Sequence, residues 1–381
     1  MSFKPIFVIK EKTELRKYLD NCDFPHCSKV TKYCNFFKVG EGTFGEVYKA
    51  YEKQNKNTVV ALKKLLIKKE IDSFPITALR EINILKGLWV KDEKGNEKRH
   101  QNIINLLEVC WTKPSTENSC KSIFYLVFEF CEYDLSRLLS NHNIRFNHGE
   151  IKHILRQLLD GLYFIHINKI IHRDIKPANI LVTRKGVLKL ADFGLSKEIH
   201  FKKLKEGNSM TNRVVTLWYR APELLLGSKQ YGQEIDLWAL GCVMAEMWIR
   251  SSLFKGSSES QQIKEISSLC GELTEVVWPN IKEMPLYNAM ALPTGSKRKL
   301  KANLKHVVKD DYGLELIDKF LQLDPGKRIN ADEALYHDFF WVDPLPRSIE
   351  RCLSIYEQNI MRPPVKKSRF CDNEGYKDRV Y

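Results

Sequence analysis

The fold of this chain is decided by His172-Arg173-Asp174-Ile175-Lys176-Pro177-Ala178-Asn179, together with Asp192-Phe193-Gly194 shortly after it. Asp174 lies where a carboxylate can accept the proton of an attacking hydroxyl, and Lys176 can neutralise charge on a transferred phosphoryl group. Asn179 and Asp192 offer hard oxygen ligands, which suit Mg²⁺. One such tripeptide can arise by chance, but the whole set in this order indicates a phosphoryl-transfer site.

A glycine-rich segment lies upstream and reads G-x-G-x-x-G-x-V, from Val39-Gly40-Glu41-Gly42-Thr43-Phe44-Gly45-Glu46-Val47. Glycine lets a backbone approach phosphates without a Cβ clash. Dinucleotide-binding folds share part of this pattern, but they require a helix that begins at the glycines. Both flanks here are strand-like, so the segment predicts a β-hairpin that contacts phosphates through Gly40, Gly42 and Gly45.

A third strand and a helix are predicted next. Val59-Val60-Ala61-Leu62-Lys63 reads as a strand that ends with a phosphate-anchoring lysine, Lys63. The helix is predicted by Pro75 near its start and by the apolar spacing that follows. Glu81 on this helix is the expected partner of Lys63. The alternative is that Glu81 only solvates the outer face of the helix.

The helix also carries a family signature, because Pro75-Ile76-Thr77-Ala78-Leu79-Arg80-Glu81 spells PITALRE. With it, the chain resembles the cyclin-dependent kinases from about Asp23 to Asp343, and most closely their transcription-elongation branch. The resemblance implies an α+β, bilobal protein-kinase fold, with a small antiparallel-sheet N-lobe plus one helix and a larger, mainly helical C-lobe. The implied boundaries are an N-terminal extension over 1–32, a kinase domain over 33–340 (N-lobe 33–128, hinge 129–134, C-lobe 135–340) and a basic mobile tail over 341–381.

The resemblance assigns roles by position and implies ATP and Mg²⁺ as cofactors. Asp174, Lys176 and Thr216 are the expected catalytic residues, and Asn179 and Asp192 the expected metal ligands. The backbone of Glu129 and Cys131 is expected to read adenine. The residues expected to bind ATP are Val39, Gly40, Gly42, Gly45, Val47, Ala61, Lys63, Glu81, Glu129, Cys131, Asp134, Leu181 and Asp192.

An activation site is implied in the same way. Thr211 falls where cyclin-dependent kinases carry their activating phosphothreonine, and Arg80, Arg173 and Lys197 are the expected phosphate clamp. The family has Arg at the third clamp position. Lys is a point charge that cannot grip phosphate bidentately, so this chain departs from the family pattern at Lys197.

The implied partners follow from the same branch. They are a cyclin, of the T type, and as substrates the heptad-repeat tail of RNA polymerase II and elongation factors. Val214-Val215-Thr216 is the expected pocket for a proline after the phosphoacceptor, and the expected location is the nucleus. A pseudokinase scaffold is disfavoured because Lys63, Asp174 and Asp192 are all present. Another cyclin-dependent branch with a different cyclin and substrate stays open.

Composition agrees with a kinase that works inside the cell. The chain has 61 Lys and Arg against 47 Asp and Glu, a net charge of +14, which favours acidic partners without requiring a nucleic-acid site. Its ten cysteines are expected to be reduced. No apolar run reaches the roughly twenty residues that span a bilayer, so no membrane partner is expected. The charged segment 90–99 is predicted to be a solvated loop.

Overall fold

The computed structural model of the protein describes residues 27–42, 45–65, 75–91, 97–112, 123–199 and 214–361. The described chain divides into two compact units. The sheet unit comprises the described parts of 1–78 and 105–130. The helical unit comprises the described parts of 79–104 and 131–371. None of the described helices is long and apolar enough to cross a membrane.

The described chain contains short and long strands and helices, numbered here in chain order. The strands are β1 (Ser28–Lys29), β2 (Tyr33–Gly42), β3 (Gly45–Glu52), β4 (Val59–Lys64), β5 (Val90–Lys91), β6 (Glu97–Lys98), β7 (Leu106–Trp111), β8 (Phe124–Glu129), β9 (Tyr133–Asp134), β10 (Ile170–Ile171), β11 (Ile180–Val182), β12 (Leu188–Leu190) and β13 (Lys197–Glu198). The α-helices are α1 (Ile76–Gly87), α2 (Leu135–Ser140), α3 (His148–Ile167), α4 (Pro222–Leu225), α5 (Glu234–Ile249), α6 (Glu259–Cys270), α7 (Leu300–Leu304), α8 (Asp311–Phe320), α9 (Ala331–Leu335) and α10 (Glu350–Met361).

The sheet unit is built on a six-stranded sheet with the order β1-β7-β8-β4-β3-β2. The predicted third strand is confirmed as β4, where Val60 and Leu62 alternate with more exposed neighbours and lie in the core. The predicted glycine hairpin is confirmed by the antiparallel pairing of β2 with β3, in which Gly42 faces Gly45. Thr43 and Phe44 between them lie outside the described residues.

The sheet begins earlier than the sequence predicted. Residues 28–29 form β1, which pairs in parallel with β7 through Ser28 opposite Cys110. The Ser28 hydroxyl donates to the carboxylate of Glu108 and so fastens β1 to β7, and the hydroxyl of Tyr33 at the start of β2 donates to the same carboxylate. The prediction of an extension over 1–32 is therefore wrong for its last residues, because they cover an edge of the sheet that would otherwise be unpaired.

The helical unit is organised around α3 and α5. An apolar stripe lies along α3, where Ile151, Ile154, Leu155, Leu158 and Leu159 are all buried. Helix α5 is buried nearly all round, which is the pattern of a central core helix.

The predicted N-lobe boundary at 128 differs from the observed division. Residues 79–104 group with the helical unit. The reason is a set of tertiary hydrogen bonds: the Asn102 side chain donates to Leu188 O (2.9 Å), and Arg80 donates to Gly194 O (2.8 Å). The loop prediction for 90–99 is also wrong at its ends, because β5 and β6 pair in an antiparallel manner.

The chain after residue 340 continues into α10, which side-chain contacts hold in place, so the prediction of a mobile tail from 341 is wrong there. Helix α10 is anchored by Arg351 Nη2, which donates to Glu150 Oε2 (2.8 Å), and by Glu357, which accepts from the Tyr133 hydroxyl (2.6 Å). Ile349 and Cys352 are fully buried. These contacts fix the helix against the helical unit. Residues 362–381 lie outside the described part.

Candidate active site

The carboxylate of Asp174 is the centre of a buried hydrogen-bond cluster. Its Oδ1 accepts from the hydroxyl (3.0 Å) and the backbone N–H (3.2 Å) of Thr216. Its Oδ2 accepts from Asn179 Nδ2 (2.8 Å) and lies 2.9 Å from Lys176 Nζ. Lys176 Nζ also donates to the Thr216 hydroxyl (3.0 Å). The three residues predicted as catalytic are therefore brought together, with a predicted metal ligand beside them.

The loop 172–179, which carries Asp174, is held in place by a buried carboxylate. Asp236, in the first turn of α5, accepts from the backbone N–H groups of His172 (2.8 Å) and Arg173 (2.9 Å) and from His166 Nε2 (3.0 Å). Burial alone would raise the pKa of Asp236, but the hydrogen bond from His166 and the nearby histidine charge outweigh it and lower the pKa. Arg173 is held at a positive φ of 68°, which is uncommon for a residue other than glycine.

Asn179 and Asp192 are joined through the residue between β12 and the DFG sequence. The N–H of Ala191 donates to the Asn179 carbonyl (2.9 Å), and Ala191 O accepts from His172 Nε2 (3.0 Å). Asp192 follows with a left-handed backbone, at φ 64°. The peptide segments that carry the two predicted metal ligands are thus tied to each other and to the catalytic loop.

The residues present fit Mg²⁺. Asn179 uses Nδ2 for both of its hydrogen bonds to Asp174, so Oδ1 is the atom that it can offer to a metal. Within the described residues, no three or more His, Cys, Asp and Glu side chains gather as a metal site. That finding is compatible with Mg²⁺, which is commonly held by one or two protein oxygens together with phosphates and water.

The three predicted clamp cations lie close together on the helical unit. Arg80 donates to Gly194 O (2.8 Å) and Arg173 Nε donates to Leu195 O (2.6 Å). Burial, and then the charge of Arg173, lower the pKa of Arg80. Burial, and then the charges of Arg173 and Arg80, lower the pKa of Lys197. The cluster therefore carries mutual repulsion that an anion would relieve. Thr211 itself lies outside the described residues.

The predicted ATP-binding residues fall into a set on each unit. In the sheet unit, Gly40 is the strand partner of Val47, and Val47 that of Lys63, so one face carries residues from three adjacent strands. In the helical unit, Leu181 on β11 pairs directly with Asp134 on β9. The remaining predicted members are placed as follows: Val39 and Gly42 on β2, Gly45 on β3, Ala61 on β4, Glu129 at the end of β8, Glu81 on α1, Cys131 just after residue 130, and Asp192 before the helical turn at Phe193–Leu195.

Glu81 is buried, with only 3% of its surface exposed. The alternative that it merely solvates the outer face of α1 is therefore wrong. A buried carboxylate requires a compensating partner.

Comparison with known proteins decides the family. The family model described as a protein kinase domain matches residues 33–340. Cyclin-dependent kinase 9 of Xenopus tropicalis is 51% identical to this chain over 360 residues, which is 93% of each protein. Cyclin-dependent kinase 9 of Homo sapiens is 51% identical over 356 residues, again 93% of each. This chain belongs to the cyclin-dependent kinases.

Two solved structures resemble this kinase. The CAK complex from Chaetomium thermophilum bound to ATP-gamma-S contains a chain with a TM-score of 0.72 and 34% identity, covering 84% of this chain and 94% of that one. The yeast RNA Pol II CTD kinase CTDK-1 complex contains one with a TM-score of 0.69 and 32% identity, covering 91% and 99%. The predicted fold is confirmed: this serine/threonine protein kinase has a β-sheet N-lobe and a helical C-lobe, and it uses ATP.

The kinase holds a strained backbone directly before Thr216. Val215 has a φ of 67°, a conformation that is an outlier for a β-branched residue and costs on the order of 1–3 kcal/mol. Arg220 stabilises it, since its Nη2 donates to Val215 O (2.9 Å) and its Nε to Val214 O (2.9 Å). The resemblance implied a pocket at Val214-Val215-Thr216, and in the structure Arg220 holds the backbone of the first two of these residues.

The role of Asp134 as a helix cap went beyond what the sequence predicted. Asp134 caps α2, because its Oδ1 accepts from the backbone N–H of Arg137 (2.8 Å), and burial raises the pKa of Asp134. The Asx residue before an apolar run was the available signal for this cap. As the resemblance to the cyclin-dependent kinases implies, Glu223 on α4 forms a buried bidentate pair with Arg328, with distances of 2.8 and 3.1 Å.

Proposed function

We propose that this kinase is activated by a cyclin and phosphorylates serine or threonine followed by proline, in particular in the heptad-repeat tail of RNA polymerase II, and so promotes transcription elongation. The observation that carries the proposal is the backbone of Val215, whose carbonyl is bound by Arg220. The likeness to cyclin-dependent kinase 9 and to the yeast RNA Pol II CTD kinase supports the choice of substrate.

Proline selectivity follows from the hydrogen bond that a backbone N–H of the substrate loses in the pocket. The carbonyl of Val215 is occupied by Arg220, so it cannot accept a hydrogen bond from the residue after the phosphoacceptor. Any residue with a backbone N–H loses a partner there when it leaves water. Proline has no N–H and loses nothing.

The catalytic loop supplies the chemistry of transfer. Asp174 accepts the proton of the substrate hydroxyl as that oxygen bonds to the γ-phosphorus of ATP and the bond to the ADP oxygen breaks. Thr216 and Lys176 hydrogen-bond each other and both contact Asp174, so they fix the orientation of its carboxylate. Lys176 also places positive charge where negative charge develops. Asn179 and Asp192 would hold Mg²⁺, which would neutralise negative charge on the phosphates.

The nucleotide roles assigned by resemblance are part of this proposal. On the sheet unit, the glycines of the hairpin would approach the phosphates, Lys63 would anchor them, and the main chain at Glu129 would read adenine. On the helical unit, Glu81 keeps the ATP-binding role that the resemblance assigns to it, and Asp134 and Leu181 would contact the ribose and the base. The pairing of Asp134 with Leu181 supports their joint assignment.

Helix α1 supports the requirement for a cyclin. Ile76 and Leu79 of the PITALRE sequence expose 72% and 45% of their surface, although both are apolar. A partner that covers them and prefers one position of α1 would shift the population of that position by its differential affinity. We assign a T-type cyclin to this role from the family resemblance that the PITALRE sequence carries. Activation by phosphorylated Thr211, held by Arg80, Arg173 and Lys197, completes the proposed switch.

A nuclear location is proposed together with the polymerase substrate. One basic cluster, at 296–301, is folded into the helical unit, because Arg298 donates to Cys270 O (3.0 Å) and Asp318 Oδ1 (2.9 Å). That cluster is therefore a poor candidate for an import signal. The cluster at 363–369 lies outside the described residues.

The proposed function is tested by isolating the chain from its native source, identifying the cyclin that co-purifies, and assaying polymerase-tail peptides and elongation factors. We expect a T-type cyclin, turnover of the tail peptide by the complex, and almost no turnover by the cyclin-free chain. A fully active cyclin-free monomer, or a complex that ignores the tail peptide, would contradict the proposal.

A further inference from the structure

We propose that Glu259, which lies outside the catalytic loop, is a positioning residue that sets selectivity for the residue after the phosphoacceptor. It acts through Arg220 on the carbonyl of Val215. This inference rests on the proposed proline-directed function, and it names the side chain that maintains that selectivity.

A continuous set of contacts joins Glu259 to the pocket. Its Oε1 lies 2.6 Å from Nη1 of Arg220. The same guanidinium donates from Nε to Val214 O (2.9 Å) and Val215 O (3.2 Å), and from Nη2 to Val215 O (2.9 Å). The carboxylate and the two carbonyls thus hold the planar group from different sides, and its orientation is fixed.

The position of Glu259 is itself fixed by the fold. It lies in the first turn of α6, whose N-terminal cap is the Ser258 hydroxyl. A carboxylate is favoured in that turn by the helix dipole. Gln262, which is fully buried, accepts from Gly256 N–H (2.8 Å) and donates to Trp218 O (3.2 Å). The start of α6 is therefore tied to the segment that carries Arg220.

A second bond reinforces this tie. The indole N–H of Trp218 donates to Gly256 O (3.1 Å), so the two segments are joined in both directions. No side chain fits at Gly256, because a Cβ there would lie 2.4 Å from the backbone N of Gln262. Gly256 therefore permits the close approach of the start of α6 to the segment of Trp218, and this approach places Glu259 beside Arg220.

Loss of the Glu259 carboxylate should free the backbone of Val215 from its fixed conformation. Arg220 has only 12% of its side chain exposed, so its charge depends on nearby acceptors. Without Glu259, the guanidinium can turn toward solvent and free the carbonyl of Val215. Val215 will then leave its disfavoured positive φ, and its carbonyl becomes able to accept an N–H from the substrate. Peptides without proline should gain more than peptides with it.

The test compares kcat/KM of the kinase–cyclin complex for two peptides that differ only in having Pro or Ala after the phosphoacceptor serine. We expect Glu259→Ala to lower the Pro-to-Ala ratio by roughly three- to tenfold, the scale of one hydrogen bond, mainly by raising turnover of the Ala peptide. Glu259→Gln retains an acceptor oxygen and should give an intermediate ratio.

Glu265→Ala is the matched control, because Glu265 lies on the same helix and accepts from Gln261 Nε2 (2.9 Å). It should leave the ratio unchanged. If Glu259→Ala keeps the wild-type ratio, or lowers kcat/KM for both peptides equally, the inference is overturned while the proposed function stands. If the wild-type complex turns over both peptides equally, the proposed function fails, and this inference fails with it.

Discussion

The hydroxyl of Thr216 donates a 3.0 Å hydrogen bond to Oδ1 of Asp174, across 42 positions of the sequence. The segment 214–216 and the loop 172–179 therefore meet at the carboxylate that we expect to take the substrate's proton. Lys176 contacts both groups, so a displacement of either segment changes the orientation of Asp174.

Replacing this carboxylate tests its role. Asp174→Asn should lower the single-turnover rate of phosphoryl transfer by roughly a hundred- to ten-thousand-fold, because an amide of the same shape cannot accept the proton. ATP affinity should change little. The exposed Asp332 provides the control, and Asp332→Asn should be neutral. Retention of more than half of the wild-type rate would show that Asp174 is not the base.

Lys197 stands where the family has Arg, and this difference gives a second prediction. Lys197→Arg should stabilise the Thr211-phosphorylated complex by about 1 kcal/mol at most, since Arg can grip phosphate with two donors where Lys offers a point charge. The unphosphorylated complex should not respond, because it has no phosphate to bind. Thermal unfolding of both forms, with the exposed Lys185→Arg as control, measures the difference. Equal shifts in the two forms would remove Lys197 from the clamp.

The buried Asp236 gives a prediction on pH. Its pKa is lowered in the folded protein, so its contribution to stability is present above the unfolded pKa of about 3.9 and is lost as pH falls through the lower folded value. Asp236→Asn removes the negative charge and replaces one of the two oxygens that accept from His166, His172 and Arg173 by an NH2 donor, so it should cost on the order of 3 kcal/mol at neutral pH.

The gap between the Asp236→Asn and wild-type free energies of unfolding should therefore stay constant from neutral pH to about pH 5 and shrink below about pH 4. Denaturant titrations across this range measure it. The exposed control Asp332→Asn should show no such gap. A gap that is independent of pH would mean that Asp236 is not ionised in the folded protein.

Helix α10 gives a prediction on stability. Leu353 is buried, so Leu353→Ala should destabilise the protein by about 2–5 kcal/mol through lost burial and a residual cavity. The neighbouring Ser354 is exposed, and Ser354→Ala should be close to neutral. A melting temperature that is unchanged in Leu353→Ala would support the mobile tail that the sequence predicted.

The sequence predicted the parts of the site that short motifs encode. Asp174, Lys176 and Asn179 lie within six positions, so local geometry already places them together, and Thr216 was found through the resemblance. The signals that were missed are long-range. Glu357 meets Tyr133 across 224 positions, and Arg220 meets Glu259 across 39. No local pattern states that such residues meet, because tertiary packing decides it.

Helix α10 and strand β1 were missed because their signals in the sequence are too weak to predict a secondary structure. Ile349, Cys352 and Leu353 follow helical spacing before a basic, proline-containing stretch, and the composition of the whole tail outweighed that short pattern. The two residues of β1 are too few to show a strand period. Their pairing depends on Glu108, a residue of another strand, which accepts from Ser28.

The most direct measurement is the ratio of kcat/KM for two heptad-repeat peptides, identical except for Pro or Ala after the target serine, with the cyclin-bound kinase. Because the carbonyl of Val215 is occupied by Arg220, the ratio should favour the Pro peptide by roughly tenfold or more. Equal turnover of the two peptides would contradict a proline-directed kinase.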